Sequence, residues 1–164
     1  MARFVVMGVS GCGKSSVGRA LSVMAGLTFI DGDDLHPPAN IRKMSAGIPL
    51  DDTDRAPWLV AVGQALAEQD GPAAMGCSAL KRSYRDIIRA EAGRVHFLHL
   101  SAPKAVLAER VAARKDHFMP PALLDSQYAA LEPLEPDETG LVLDIAQPLE
   151  RVVQDALAYV LDAT

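Results

Sequence analysis

The sequence predicts an α/β fold: a five-stranded parallel sheet with helices on both faces. Short apolar runs alternate with amphipathic stretches along the 164 residues. That is the pattern of strands buried on both faces and joined by helical crossovers. The first apolar run, Phe4-Val5-Val6-Met7, leads straight into Gly8-Val9-Ser10-Gly11-Cys12-Gly13-Lys14-Ser15. This Gly-x-x-x-x-Gly-Lys-Ser loop stands in the strand-to-helix setting that gives such a motif its meaning. The length suits one domain with a sizeable core.

Strand one covers residues 3–7, and a helix follows over 14–25 with Val17, Ala20, Leu21 and Met24 on one face and Gly26 as its stop. A second short strand at 27–30 ends in Asp31-Gly32-Asp33-Asp34. Residues 37–53 are polar and broken by Pro37, Pro38, Gly47 and Pro49, which predicts a short helix at 39–44 plus a loop. Asp54 is the expected cap of a helix carrying Trp58, Val62, Ala65 and Leu66 and stopping near Gly71-Pro72. Strand three is 73–77, a helix runs from Ser83 to about Ala92, strand four is 95–100, and Pro103 opens a helix reaching Arg114. A connector, Lys115-Asp116-His117-Phe118-Met119-Pro120-Pro121, precedes a helix at about 123–131 and an acidic, Pro-rich loop through Asp137. Strand five is 141–145. Pro148 starts the closing helix, with Leu149, Val152, Val153, Ala156 and Val160 facing inward.

Composition narrows the classes of function. The net charge of −5 argues against a nucleic-acid surface. No apolar stretch approaches the ~20 residues that span a bilayer, and no signal-peptide pattern precedes strand one. Two cysteines, Cys12 and Cys77, give no disulfide framework. A cytoplasmic protein without membrane or nucleic-acid partners is expected.

The chemistry is expected beyond the carboxyl ends of the strands. Successive N–H groups of the phosphate loop form an anion nest, and the helix dipole adds to it. Gly8, Ser10, Gly11, Cys12, Gly13, Lys14, Ser15 and Ser16 are therefore the expected nucleotide-binding set. Lys14 reaches the β- and γ-phosphates and Ser15 ligates Mg²⁺, so ATP and Mg²⁺ are the expected cofactors. Cys12 in this nest should favour its thiolate and react with thiol reagents, unless its sulfur turns into the protein. After strand two, Asp31 suits a Mg²⁺-bound water, and Asp33 suits orienting or deprotonating an acceptor hydroxyl; the same residues also make good turn chemistry. His36 fits a sugar hydroxyl or a structural role.

After strand three, Cys77-Ser78-Ala79-Leu80-Lys81 and Arg85 offer hydroxyl, ammonium and guanidinium groups. Lys81 and Arg85, four apart, would share a helix face and suit an anionic, polyhydroxylated acceptor, or else be solvated charges. His96 and His99 read as packing residues on opposite faces of strand four. Arg110 and Arg114, also four apart, repel each other unless an anion joins them. Arg114 is assigned to the transferring phosphate and Arg110 to the adenine or the ATP tail. No zinc spacing and no Ser/His/Asp set occurs.

Residues 8–15, Asp31-Gly32-Asp33-Asp34-Leu35-His36-Pro37, Cys77-Ser78-Ala79-Leu80-Lys81 with Tyr84-Arg85-Asp86, the Arg114/His117-Phe118 connector and Asp144-Ile145-Ala146-Gln147-Pro148 occur in order. Together they resemble the bacterial gluconokinase family, P-loop kinases of small metabolites related to shikimate and adenylate kinases. The resemblance spans nearly the whole chain. It implies a single three-layer P-loop kinase domain over 1–164, with a lid after strand four at about 115–137. It implies ATP-dependent phosphorylation of the 6-hydroxyl of D-gluconate, with Lys14, Asp33 and Arg114 catalytic. Asp33, His36, Lys81, Arg85 and His117 would meet the substrate, Gln147 and Pro148 would lie near the adenine, and two copies would form a homodimer. One departure is Asp116, where the family usually has glycine before His-Phe; it adds a negative charge where phosphates approach.

Two other readings compete. One is a kinase of another small hydroxylated acid such as shikimate. The other is a GTPase-type switch, for which Asp137-Glu138-Thr139-Gly140 matches Asp-x-x-Gly, although no Asn-Lys-x-Asp guanine-reading motif occurs.

Overall fold

The structure, a computed structural model, describes residues 2–113 and 121–164. Its one sheet contains β1 (Arg3–Met7), β2 (Thr28–Asp31), β3 (Ala73–Gly76), β4 (His96–Ser101) and β5 (Gly140–Asp144). The spatial order is β2-β3-β1-β4-β5 with every pairing parallel. Parallel neighbours need crossovers, and helices supply them: α1 (Lys14–Ala25), α2 (Pro38–Ser45), α3 (Asp52–Ala67), α4 (Arg82–Ala92), α5 (Lys104–Ala113), α6 (Pro121–Ala130) and α7 (Leu149–Ala163).

The central strand β1 is buried on both faces, because alternate side chains feed two cores. Phe4 and Val6 join Leu98 and Leu100 of β4 against Val17 and Leu21 of α1, Leu107 of α5, Leu124 of α6 and the Val152, Val153, Ala156 and Val160 stripe of α7. Val5 and Met7 join Met75 and Phe97 against Trp58, Leu59, Val62 and Leu66 of α3 and Tyr84 and Ile88 of α4. Each such side chain is worth roughly 1.5–3 kcal/mol of burial. Packing on both faces, more than helix propensity, therefore holds the loops at the carboxyl edge of the sheet.

Several element ends follow from local chemistry. Gly26 takes the left-handed conformation that stops α1, and its N–H donates to Ser22 O. At α3 the expectation needs correction: Asp51 is the cap and Asp54 its third residue. Asp51 Oδ1 accepts from the Asp54 N–H at 2.7 Å while the Asp54 carboxylate accepts from the Asp51 N–H at 3.1 Å, a reciprocal capping box. Lys43 also binds Asp54, at 2.8 Å. The helix ends at Ala67, ahead of Gly71-Pro72. Two expected core residues are exposed. Met24 falls on the flank of the Val17/Leu21 line, and Leu149 is the first residue of α7, ahead of its buried stripe.

Of the expected lid at 115–137, residues up to 120 lie outside the described residues. The remainder is anchored to the body of the protein. Leu124 lies in the core, the Tyr128 hydroxyl donates to Ala102 O at 2.8 Å, and the Glu132 N–H donates to Leu80 O at 2.7 Å.

Candidate active site

The loops after β1, β2 and β3 meet at one edge of the sheet. In the phosphate loop Gly8 has φ +147°, and a Cβ there would fall 2.8 Å from both Cys12 Sγ and Leu100 O, so no other residue fits. Gly13 caps α1 with no side-chain bond, and the first turn of α1 contains no acidic residue. The first N–H groups of the helix therefore have no internal partner and face the loop with the positive end of the dipole. Lys14 Nζ donates to Gly8 O at 3.0 Å and Val9 O at 3.1 Å. A charged phosphate oxygen is a stronger acceptor than either carbonyl. Ser15 is half-buried beside the nest and Ser16 is exposed. This donor-rich concavity fits the phosphates of a nucleotide.

Cys12 departs from the expected reactivity. It is 5% exposed and packs into the core, and burial raises its thiol pKa more than Lys14 and the backbone N–H groups lower it. The sulfur has turned into the protein, so the neutral thiol prevails.

After β2 the chain makes a single 3-10 turn over Gly32–Leu35. Asp31 Oδ1 accepts from the Asp33 N–H at 3.0 Å, so Asp31 serves the turn with one oxygen. Gly32 lies against Gly76 O, too close for any Cβ, and its carbonyl accepts from Trp58 Nε1 at 2.8 Å. These contacts hold Asp33 at the edge of the sheet. Asp33 is exposed as a residue, yet the protein around its carboxyl withdraws enough water to raise its pKa. Asp31 and Asp34 raise it further, while Lys14 and His36 pull it down. A carboxylate of raised pKa is a better proton acceptor than an ordinary aspartate.

His36 stacks on Trp58, with ring centroids 4.2 Å apart and planes 15° apart. Asn40 Nδ2 lies 3.2 Å from its Nδ1 and also donates to Asp54 O at 3.0 Å. Nδ1 is therefore the acceptor, and the proton sits on Nε2. Burial, and secondarily Arg55, lower the pKa of His36 against the pull of Asp33. A neutral imidazole results, held with one N–H to offer.

The loop after β3 is bonded to the phosphate loop, the Gly8 N–H donating to Ser78 O at 3.2 Å. Lys81 precedes α4 and binds Asp52 at 3.3 Å; it lies over the Tyr84 ring at 5.5 Å. Arg55 lies 5.7 Å from the same ring and donates to Tyr84 Oη at 3.3 Å. Arg55 had no motif to mark it; only the fold brings this second cation to Lys81.

Arg85 is a correction. It does not share a helix face with Lys81, and it is fully buried. Its Nε and Nη2 bind Glu138 at 2.7 and 3.0 Å, Nη1 donates to Ala79 O and Leu80 O, and Nη2 donates to Pro133 O. All five N–H groups are engaged. Arg85 therefore shapes the loop around Ala79, whose φ is +45°, and has no donor left for an acceptor. Glu138, the second residue of the Asp-x-x-Gly match, belongs to this buried pair, which ties that segment to α4.

Gln147 and Pro148 lie just past β5, where Gln147 Nε2 donates to Asp144 O and Pro148 caps α7. Arg110 is exposed in the last turn of α5. Arg114, His117 and Asp116 lie outside the described residues. His96 and His99 do pack, as expected: His96 meets Tyr159 Oη at 2.8 Å, and His99 is 3% exposed. One polar contact had no sequence signal. Gln127 of α6 bonds Ser10 twice, with the Ser10 N–H donating to Oε1 at 2.6 Å and Nε2 donating to Ser10 Oγ at 2.8 Å.

Comparison with known proteins adds to this geometry. The shikimate kinase family model matches residues 10–139. The chain is 44% identical over 162 residues to the thermosensitive gluconokinase of Escherichia coli K12, covering 96% of this chain and 87% of the relative. It is 49% identical over 137 residues to a gluconokinase of Gluconobacter oxydans 621H, covering 82% and 77%. A crystal structure of a gluconokinase from Sinorhizobium meliloti 1021 superposes with a TM-score of 0.90 at 51% identity, covering 99% of this chain and 93% of that one.

Proposed function

The chain belongs to the gluconokinase family of P-loop kinases, and we propose that it transfers the γ-phosphoryl group of ATP to the 6-hydroxyl of D-gluconate. One observation carries the reading. A phosphate nest with an uncapped helix N-terminus lies at the same sheet edge as Asp33, whose carboxyl feels the Lys14 charge, so donors for a phosphate and a proton acceptor share one edge. The similarity to gluconokinases supports the choice of acceptor.

In this reading the N–H groups of residues 10–16 bind phosphate oxygens, and Lys14 leaves the carbonyls of Gly8 and Val9 for the β- and γ-phosphates. Bound Mg²⁺ would neutralise charge on the transferring phosphoryl, with Ser15 as a ligand and Asp31 holding one of its waters through the oxygen not used in the turn. Asp33 orients the 6-hydroxyl and takes its proton. His36 offers its Nε2–H to a sugar hydroxyl, while Lys81 and Arg55 attract the acceptor carboxylate; Arg85 supports them from behind. Gln147 and Pro148 would flank the adenine, with Arg110 toward the ATP tail. Arg114 and His117 are proposed on the sequence alone, for the transferring phosphoryl and the acceptor. The same reading carries a single kinase domain, a homodimer and a cytoplasmic location. Among the described residues, no helix is long and apolar enough to cross a membrane.

The test is ADP release, coupled to a reporter reaction, with ATP, Mg²⁺ and either D-gluconate, shikimate or no acceptor. Release that depends on D-gluconate supports the reading; equal turnover with shikimate overturns the acceptor.

A further inference from the structure

We propose that Gln127 makes the phosphate loop discriminate a nucleoside triphosphate from a diphosphate, acting through Ser10. The inference rests on the kinase reading and extends it to a helix far from the loop in sequence. Ser10 belongs to the limb of the phosphate loop that starts at Gly8, and Gly8 is bonded to Ser78 in the loop after β3. This limb therefore lies on the side of the proposed acceptor, and a phosphoryl group in transfer must pass between nucleotide and acceptor. The terminal phosphate of a triphosphate is the group that reaches Ser10, and a diphosphate ends short of it.

Gln127 meets Ser10 at that point. The Ser10 N–H can only donate, so the carboxamide atom 2.6 Å away is Oε1, which leaves Nε2 to donate to Ser10 Oγ at 2.8 Å. The contact is not an accident of a loose side chain. Leu124, one turn earlier on α6, is buried in the core, and Tyr128, the next residue, donates to Ala102 O at 2.8 Å. The Ser10 N–H thus has a neutral acceptor when no phosphate is present. A γ-phosphoryl oxygen is a charged and stronger acceptor for the same N–H. When it takes over, Gln127 keeps its Nε2 bond to Ser10 Oγ, and the second Nε2–H is turned toward phosphoryl oxygen. An uncharged carboxamide permits this exchange; a carboxylate at the same place would repel the phosphate.

Calorimetric titration of the full chain with Mg²⁺ and either ADP or a non-hydrolysable ATP analogue tests the proposal in wild type, Gln127→Ala and Gln127→Glu. Gln127→Glu should weaken the analogue about tenfold or more while ADP changes less than about twofold. Gln127→Ala should weaken the analogue about three- to tenfold with the same selectivity. Gln127 is only half-buried, so both variants should melt close to wild type, which separates a role at Ser10 from a folding defect. Equal changes for the two nucleotides, or none for either, overturn the proposal. Gluconate-dependent ADP release by wild type checks the parent reading separately. Its failure together with a selective Gln127→Glu effect leaves the triphosphate assignment standing and removes the acceptor.

Discussion

Asp33 and His99 show how one side chain's surroundings set its task. Asp33 has a raised pKa at the carboxyl edge of the sheet, the condition of a useful base. Asp33→Asn keeps its size and most of its hydrogen bonding but cannot take a proton. We expect kcat to fall about 10²- to 10⁴-fold with ATP affinity nearly unchanged, measured by steady-state kinetics beside nucleotide titration. A loss of ATP affinity at constant kcat would assign Asp33 to the metal. His99 lies in the opposite regime. Burial, with help from Arg85, lowers its pKa to about 4, and among the described residues its Nδ1 has no hydrogen-bond partner. An unfolded histidine titrates near ~6.5, so the unfolded chain binds this proton first. The stability that neutral His99 contributes is complete above about pH 6.5 and is lost as pH falls toward 4, about 3 kcal/mol over the window. His99→Leu should flatten the pH dependence of the denaturation midpoint between those limits; an unchanged slope would exclude the assignment. The phosphate loop was legible because its residues are consecutive. Gln127 was not, because it meets Ser10 across 117 positions. Arg85 misled for a related reason: spacing on a helix says which face a residue shares, not whether a glutamate 53 positions away covers that face.

At the scale of elements, α4 and the acidic loop before β5 form one electrostatic unit. Arg85, Arg89 and Arg82 converge on Glu138, and Arg82 also binds Asp86, Glu135 and Asp137. Burial works against the charge of Glu138, but the bonds from Arg85, the Glu135 backbone and Arg89 outweigh it and hold the carboxyl below its ordinary range. Glu138→Ala would strand the buried Arg85 charge, at a cost of about 3–5 kcal/mol. A drop in Tm of about 10 °C is expected by calorimetry; a Tm within two degrees would make the pair dispensable. The loop's composition had marked it as acidic and Pro-rich, without hinting that its charge is spent inward. Helix positions were more legible, since Gly26 and Pro148 mark ends through backbone constraints that hold in any context. The start of α3 was not, because Asp51 and Asp54 both suit a cap and only the reciprocal bonds decide between them.

Over the whole molecule, the sheet order explains why three distant stretches of sequence make one site. β1 lies between β3 and β4, and β3 lies between β1 and β2, so the loops after the first three strands share one edge. This is where open parallel sheets bind ligands. Alternating apolar and amphipathic runs revealed a parallel sheet with two helical layers, but strand order is a property of long-range pairing that no local pattern encodes. This edge is proposed to move a phosphoryl group from ATP to D-gluconate. Phosphorus NMR of a reaction containing enzyme, Mg²⁺, ATP and equal D-gluconate and shikimate tests it most directly. The predicted result is one new phosphomonoester resonance, that of 6-phosphogluconate, growing in step with ADP. Shikimate phosphate as the main product, or inorganic phosphate appearing in its place, would overturn this assignment.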